Sequence, residues 1–135
     1  MSENNDISEW TRLAEMDIST ARHMFDTFHP KPLEIVCFHS QQAAEKTVKG
    51  FLASRGILPP KTHDMQTLIE KCIEIDAGFD DIYEEATTLT NYAVHLRYPT
   101  ELDLIEQDAI QAIHNADKVM SYVMSKLLPS EEVPQ

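Results

Sequence analysis

Apolar residues recur at spacings of three and four through most of the chain, the period of a helix buried on one side. Ile7, Trp10, Ala14, Ile18, Ala21, Phe25 and Phe28 form the first such stripe. It stops at His29-Pro30, because proline disfavours helix in the residue before it. Lys31-Pro32 reads as a restart, since proline fits a first helical turn. The second stretch runs from about Pro32 to Arg55, with Gly56 as its stop. Leu33, Val36, Cys37, Ala44, Val48 and Phe51 line one face of it, while Ile35, Phe38, Gln42, Lys46, Lys49 and Ala53 fall roughly opposite. A helix with apolar groups on two faces is either central in its bundle or part of a subunit contact. Ile35 and Phe38 are therefore candidate interface residues, and a core role inside one subunit explains them equally well.

Pro59-Pro60 marks a loop, and a shorter helix is predicted from about Asp64 to Ile75, with Met65, Leu68, Ile69 and Cys72 inward. Thr62 or Asp64 caps it. Ala77-Gly78 breaks the pattern. Ile82, Ala86, Leu89, Ala93 and Leu96 make a fourth stripe, ended by Pro99. Thr100 reads as the N-cap of the last helix, with Asp103 completing an imperfect capping box. Leu102, Ile105, Ala109, Ala112, Ala116, Val119, Val123 and Leu127 form its apolar stripe, which ends near Pro129. No alternating strand pattern competes over a useful length. The expected fold is all-α: one domain over residues 1–135, an up-and-down bundle of four long helices plus one short helix. Its core covers about 8–127, and 1–6 and 130–135 are expected to be flexible tails.

Composition sharpens this picture. Three glycines against seven prolines in 135 residues argue against many tight hairpins or a phosphate-cradling loop. No apolar run approaches the roughly 20 residues that cross a bilayer. The polar, acidic start Met-Ser-Glu-Asn-Asn-Asp lacks a signal-peptide pattern, so a cytoplasmic protein without a membrane contact is expected. The net charge of −12 repels phosphates at long range and excludes a non-specific nucleic-acid coating protein. Residues 31–61 depart from that average. They carry Lys31, Lys46, Lys49, Arg55 and Lys61 against Glu34 and Glu45, a local +3 in a chain whose remainder is −15.

Ready-made catalytic motifs are absent: there is no Walker loop, GxGxxG, CxxC, GxSxG or HExxH. No histidines stand at i, i+4, so neither a metal nor another cofactor is expected. Cys37 lies on the core stripe, where an apolar environment makes a thiol inert. Two clusters carry more chemistry. One is Gln41-Gln42-Ala43-Ala44-Glu45-Lys46 with Lys49; the other is Tyr92, His95, Arg97 and Tyr98 at the end of the fourth helix. An arginine beside an aromatic suits a phosphate and a base. Arg97 equally suits capping its own helix or pairing with a carboxylate such as Asp17, and the residues alone favour that structural role.

The linear series of motifs resembles the HEPN domains (higher eukaryotes and prokaryotes nucleotide-binding) over roughly residues 8–127. It comprises Trp10, Ala14 and Asp17; Cys37-Phe38-His39-Ser40-Gln41-Gln42-Ala43-Ala44-Glu45-Lys46-Thr47-Val48-Lys49; Gly56; Thr62-His63-Asp64 with Leu68; and Tyr92 followed by Arg97-Tyr98-Pro99. The order looks like the branch often encoded beside small nucleotidyltransferases. The resemblance implies a helical bundle, frequently dimeric, with a groove for nucleotides or RNA. Some members are metal-independent ribonucleases with Arg, four to six residues, then His. Here the positions that would need histidine after Arg97 are Leu102, Asp103 and Leu104, so no catalytic residue is assigned. Arg22 and His29 satisfy the bare spacing but lie at the end of the first helix. The expectation is a non-catalytic, homodimeric HEPN-like protein paired with a nucleotidyltransferase in a toxin–antitoxin-like system. Arg97, Tyr98, His63, Gln42, Lys46 and Lys49 would bind its nucleotide. A ribonuclease and a purely structural dimerisation module are the alternatives.

Overall fold

The structure, a computed structural model, describes residues 7–90 and 103–127, and all regular elements among them are helical. Helix α1 spans Ile7–Thr27, α2 Leu33–Ser54 and α3 Met65–Ile75. A 3₁₀ helix over Ala77–Ile82 leads into the short α4, Tyr83–Thr88, and α5 spans Glu106–Leu127. The all-α bundle expected from the periodicity is what the chain forms.

Helix α2 is the axis of the molecule. Thirteen of its 22 residues are buried, because α1, α5 and α3 all pack on it. Trp10 meets Gly50 while Asp17 meets His39 and Lys46, so α1 runs antiparallel to α2. The two approach closely: a Cβ added at Gly50 would lie 2.9 Å from the Cβ of Trp10. Ala14 and Ala21 on α1 and Ala43 and Ala44 on α2 are fully buried. At the other side of α2 the Phe51 and Phe79 rings stand 4.5 Å apart, and Tyr122 of α5 meets Phe79 edge-on at 5.0 Å. Phe51, Phe79, Leu52, Met65 and Leu68 are completely buried, each contributing about 2 kcal/mol of hydrophobic stabilisation. Ile35 and Phe38 are only half-buried.

The helix ends follow local chemistry. Gly56, at φ 76°, ends α2: its N–H reaches the Ala53 carbonyl and the Ile57 N–H reaches that of Leu52, both at 3.0 Å. This is a Schellman closure, and glycine adopts its left-handed backbone without a Cβ clash. Asp64 caps α3, accepting from the Gln66 N–H at 3.1 Å, while Thr62 accepts from Asp64's own N–H at 3.0 Å. The break at Ala77-Gly78 is filled by the 3₁₀ helix, which Asp76 caps through the Gly78 N–H at 3.0 Å.

The last helix starts later than its apolar stripe indicates. Asp103, Leu104 and Ile105 are non-helical, and Asp108 accepts the Ile105 N–H at 2.9 Å. That reach-back is half of a capping box, and it places the cap at Ile105 rather than at Thr100. Ile105 is consequently 62% exposed instead of lying in the core stripe. The far part of the fourth stripe, Ala93 and Leu96, and also Thr100 and Leu102 lie outside the described residues. Among the described residues no helix is long and apolar enough to cross a membrane.

Candidate functional site

Buried polar side chains concentrate on α2. Ser40 and Thr47 return their hydroxyls to carbonyls one turn back, those of Val36 at 2.9 Å and Ala43 at 2.8 Å, and so are satisfied within the helix. Gln41 and Glu45 are met by side chains instead of by a carbonyl one turn back. An unpaired carboxylate costs several kcal/mol in an apolar interior, so the surrounding chain has to supply donors.

Glu45, whose side chain is 4% exposed, receives three of them. Lys49 Nζ donates to Oε2 at 2.8 Å and Gln41 Nε2 to Oε1 at 2.6 Å. His63 Nδ1, in the loop before α3, lies 3.0 and 3.1 Å from the two carboxylate oxygens. Gln42 extends the chain by donating from Nε2 to Gln41 Oε1 at 2.8 Å. A second network joins α1 to α2. Asp17, 12% exposed, takes His39 Nδ1 at 2.9 Å on one oxygen and Lys46 Nζ at 2.5 Å on the other. Facing carboxylates, both imidazoles carry their proton on Nδ1 when neutral and turn Nε2 away from the acid. The His63 side chain is 52% exposed.

Of the six residues the sequence marks for a nucleotide, Gln42, Lys46, Lys49 and His63 are thus gathered on one face of α2 and the adjoining loop. Arg97 and Tyr98, with Tyr92 and His95, lie outside the described residues. Asp17 is engaged by Lys46 and His39. Sequence reasoning missed the roles of Glu45, Gln41 and His39. The Gln41, Glu45, Lys49 series at i, i+4 was the available signal, since such residues meet on a helix face. The local +3 is also changed by the fold. Asp17 brings a negative charge from α1, and Lys31 turns to the Phe25 carbonyl at 2.5 Å and sits 4.3 Å over the Phe25 ring.

Elsewhere the candidates for chemistry are structural. Cys37 and Cys72 are free and buried, and burial pushes both thiols up to about 12, far from a reactive thiolate at neutral pH. Arg22 pairs with Asp117 across α1 and α5, at a cleft of about 500 Å³ whose walls include Ile18, Met120 and Met124. That cleft shares no lining residue with the polar face of α2. Among the described residues no cluster of three His, Cys, Asp or Glu is placed to hold a metal ion.

The family model of the HEPN domain matches residues 7–127. The chain belongs to the HEPN family. Among solved structures, this HEPN chain is similar to ST0689, an archaeal HEPN homologue, at 28% identity and a TM-score of 0.71, over 90% of this chain and 98% of that one. It also shares its fold with TT1696 from Thermus thermophilus, at 24% identity and a TM-score of 0.76, over 91% of this chain and 99% of the other. No curated protein matches the chain significantly. Both structural matches span nearly the whole of the other chain, so the helical fold described here is what they share.

Proposed function

We propose that this HEPN protein binds the phosphate of a nucleotide on the polar face of α2 and works without catalysis beside a nucleotidyltransferase, in a toxin–antitoxin-like pair. One observation carries the reading: Lys46, Lys49 and His63 are each fixed by a buried or nearly buried carboxylate, with Gln42 between them. A lysine has three N–H donors, and its carboxylate takes one. Basic groups pre-positioned in this way lose little side-chain entropy on meeting an anion. Arg97 and Tyr98 join the site in this proposal, as phosphate contact and stacking ring.

The test is thermal unfolding with nucleoside mono-, di- and triphosphates, for wild type, His63→Gln and Arg97→Ala. A ligand at about 100 times its dissociation constant stabilises the fold by roughly 2.7 kcal/mol. A shift in wild type that is reduced in both variants supports the reading. If no nucleotide shifts the wild type, the site on this chain is withdrawn and a partner-binding module stands in its place. The dimer belongs to the same proposal: Ile35→Glu or Phe38→Glu yields a folded monomer if these half-buried residues form its interface.

A metal-independent ribonuclease is the second reading, favoured by the half-exposed His63 held through Nδ1 by buried Glu45. A carboxylate that orients an imidazole and leaves Nε2 outward is the arrangement of a general base. Cleavage of single-stranded or structured RNA that disappears in His63→Gln would establish it; absence of cleavage by the wild type rejects it.

A further inference from the structure

Away from α2, the acidic side chains are answered unevenly. Glu85 receives Lys118 Nζ at 2.9 Å, but Asp80, Asp81 and Glu84, all exposed, meet no cation among the described residues. Asp80 and Asp81 belong to the 3₁₀ helix and Glu84 and Glu85 to α4; with Tyr83 they line a hollow of about 330 Å³. A second hollow, of about 300 Å³, has Glu84, Glu85 and Thr88 on one wall and Gln111 and Asn115 of α5 on the other. The two share Glu84 and Glu85 and so make one continuous groove. Crowded carboxylates repel one another, and an incoming cation relieves that repulsion.

The α5 wall of the groove holds an unmet donor. Asn115 is 5% exposed, and its side-chain oxygen accepts from Gln111 Nε2 at 2.9 Å. Its Nδ2 has no acceptor among the described residues. A buried amide N–H without a partner is costly, and nearly all such groups in folded proteins are paired. The groove therefore offers two complementary demands at once: positive charge beside Asp81 and Glu84, and a hydrogen-bond acceptor at Asn115. Metal ions and polyamines bring the first without the second. Phosphates bring an acceptor with charge of the wrong sign. A polypeptide rich in lysine or arginine brings both, since its backbone carbonyls stand beside its cationic side chains.

We propose that this groove docks a basic segment of a partner protein, with lysine or arginine side chains against Asp81 and Glu84 and a backbone carbonyl on Asn115 Nδ2. The groove shares no lining residue with the polar face of α2, so this docking surface and the phosphate-binding reading stand or fall separately.

The experiment is titration calorimetry of the full chain at physiological ionic strength. Its ligands are a short acetylated and amidated peptide of lysine, arginine and alanine, and spermine as a polycation without carbonyls. The variants are Asn115→Leu, the groove pair Asp81→Asn with Glu84→Gln, and, as a net-charge control on α1, Glu15→Gln with Asp26→Asn. Circular dichroism melts establish that each is folded. Peptide affinity is expected to fall about tenfold in the groove pair and about fivefold in Asn115→Leu, which loses one hydrogen bond. In the α1 control it should stay within about twofold of wild type, because distant exposed charges are screened. Spermine should bind more weakly than the peptide and be indifferent to Asn115→Leu. A peptide that does not bind the wild type overturns the proposal, as does an α1 control that weakens binding as much as the groove pair. Should spermine match the peptide and Asn115→Leu leave both unchanged, the groove attracts charge alone and a polypeptide ligand is rejected.

Discussion

Glu45 meets Lys49 at 2.8 Å and Asp76 meets Lys126 at 3.0 Å, but the first carboxylate is 4% exposed and the second 27%. Around Glu45 the protein builds a hub with Gln41 and His63 as additional partners. Around Asp76, which stays partly open to solvent, one lysine and the Gly78 backbone N–H suffice. The difference follows from desolvation. A buried charge must be met by protein groups on all sides, whereas a surface pair is screened and contributes little. Polar residues on the face of α2 are therefore coupled to one another, while the ion pairs that link α5 to its neighbours act separately.

The hardest test of this contrast is Lys49→Met. It leaves Glu45 buried without its cation and should lower stability by about 3 kcal/mol in chemical denaturation. A loss below about 1 kcal/mol would mean that Gln41 and His63 already satisfy the carboxylate. Next comes Gly50→Ala, on the face of the same helix that meets α1. The new Cβ would lie 2.9 Å from the Trp10 Cβ, which cannot swing away as a side-chain tip can. Despite alanine's better helix propensity, about 2 kcal/mol of stability should be lost through overpacking. Unchanged stability would show that α1 can slide on α2.

Asp17→Asn keeps the shape and one acceptor oxygen but turns the other into an N–H donor and removes the charge facing Lys46, which is 28% exposed and can turn to water. About 1 kcal/mol is expected, read from the same denaturation curves. The smallest effect belongs to Asp76→Asn, and it depends on pH. A hydrogen bond from Lys126, then the Gly78 N–H, hold the Asp76 carboxyl below the usual carboxylate range. A depressed folded pKa stabilises above the unfolded value, and that contribution is lost as pH falls through the folded one. The wild type should thus melt slightly above Asp76→Asn at neutral pH, and the gap should close in acid. A gap that persists in acid would assign the effect to packing at the 3₁₀ helix instead.

Much of this architecture was legible in one dimension. The stop at Gly56 and the inward residues of α3 follow from periodicity and the chemistry of turns, which act within a few residues. The misplaced start of α5 marks where that reasoning ends. Leu102 and Ile105 continue the apolar spacing, yet the Asp108 side chain closes the helix start behind them. Periodicity shows which residues can share a face; which cap forms depends on competing local hydrogen bonds.

The site divides in the same way. Sequence order alone marked Gln42, Lys46, Lys49 and His63, and it showed two basic residues one turn apart on an otherwise acidic chain. It also determined that the chain is helical, that α2 carries apolar groups on two faces, and that the cysteines lie inward. Only the tertiary structure decided what those basic residues face. Asp17 is 29 positions from Lys46, and His63 is 18 from Glu45. Partners at such separations meet when helices pack, and burial then sets how strongly they must pair. Charge counted along the chain gave a positive window, whereas charge counted in space gave two lysines, each balanced by a carboxylate.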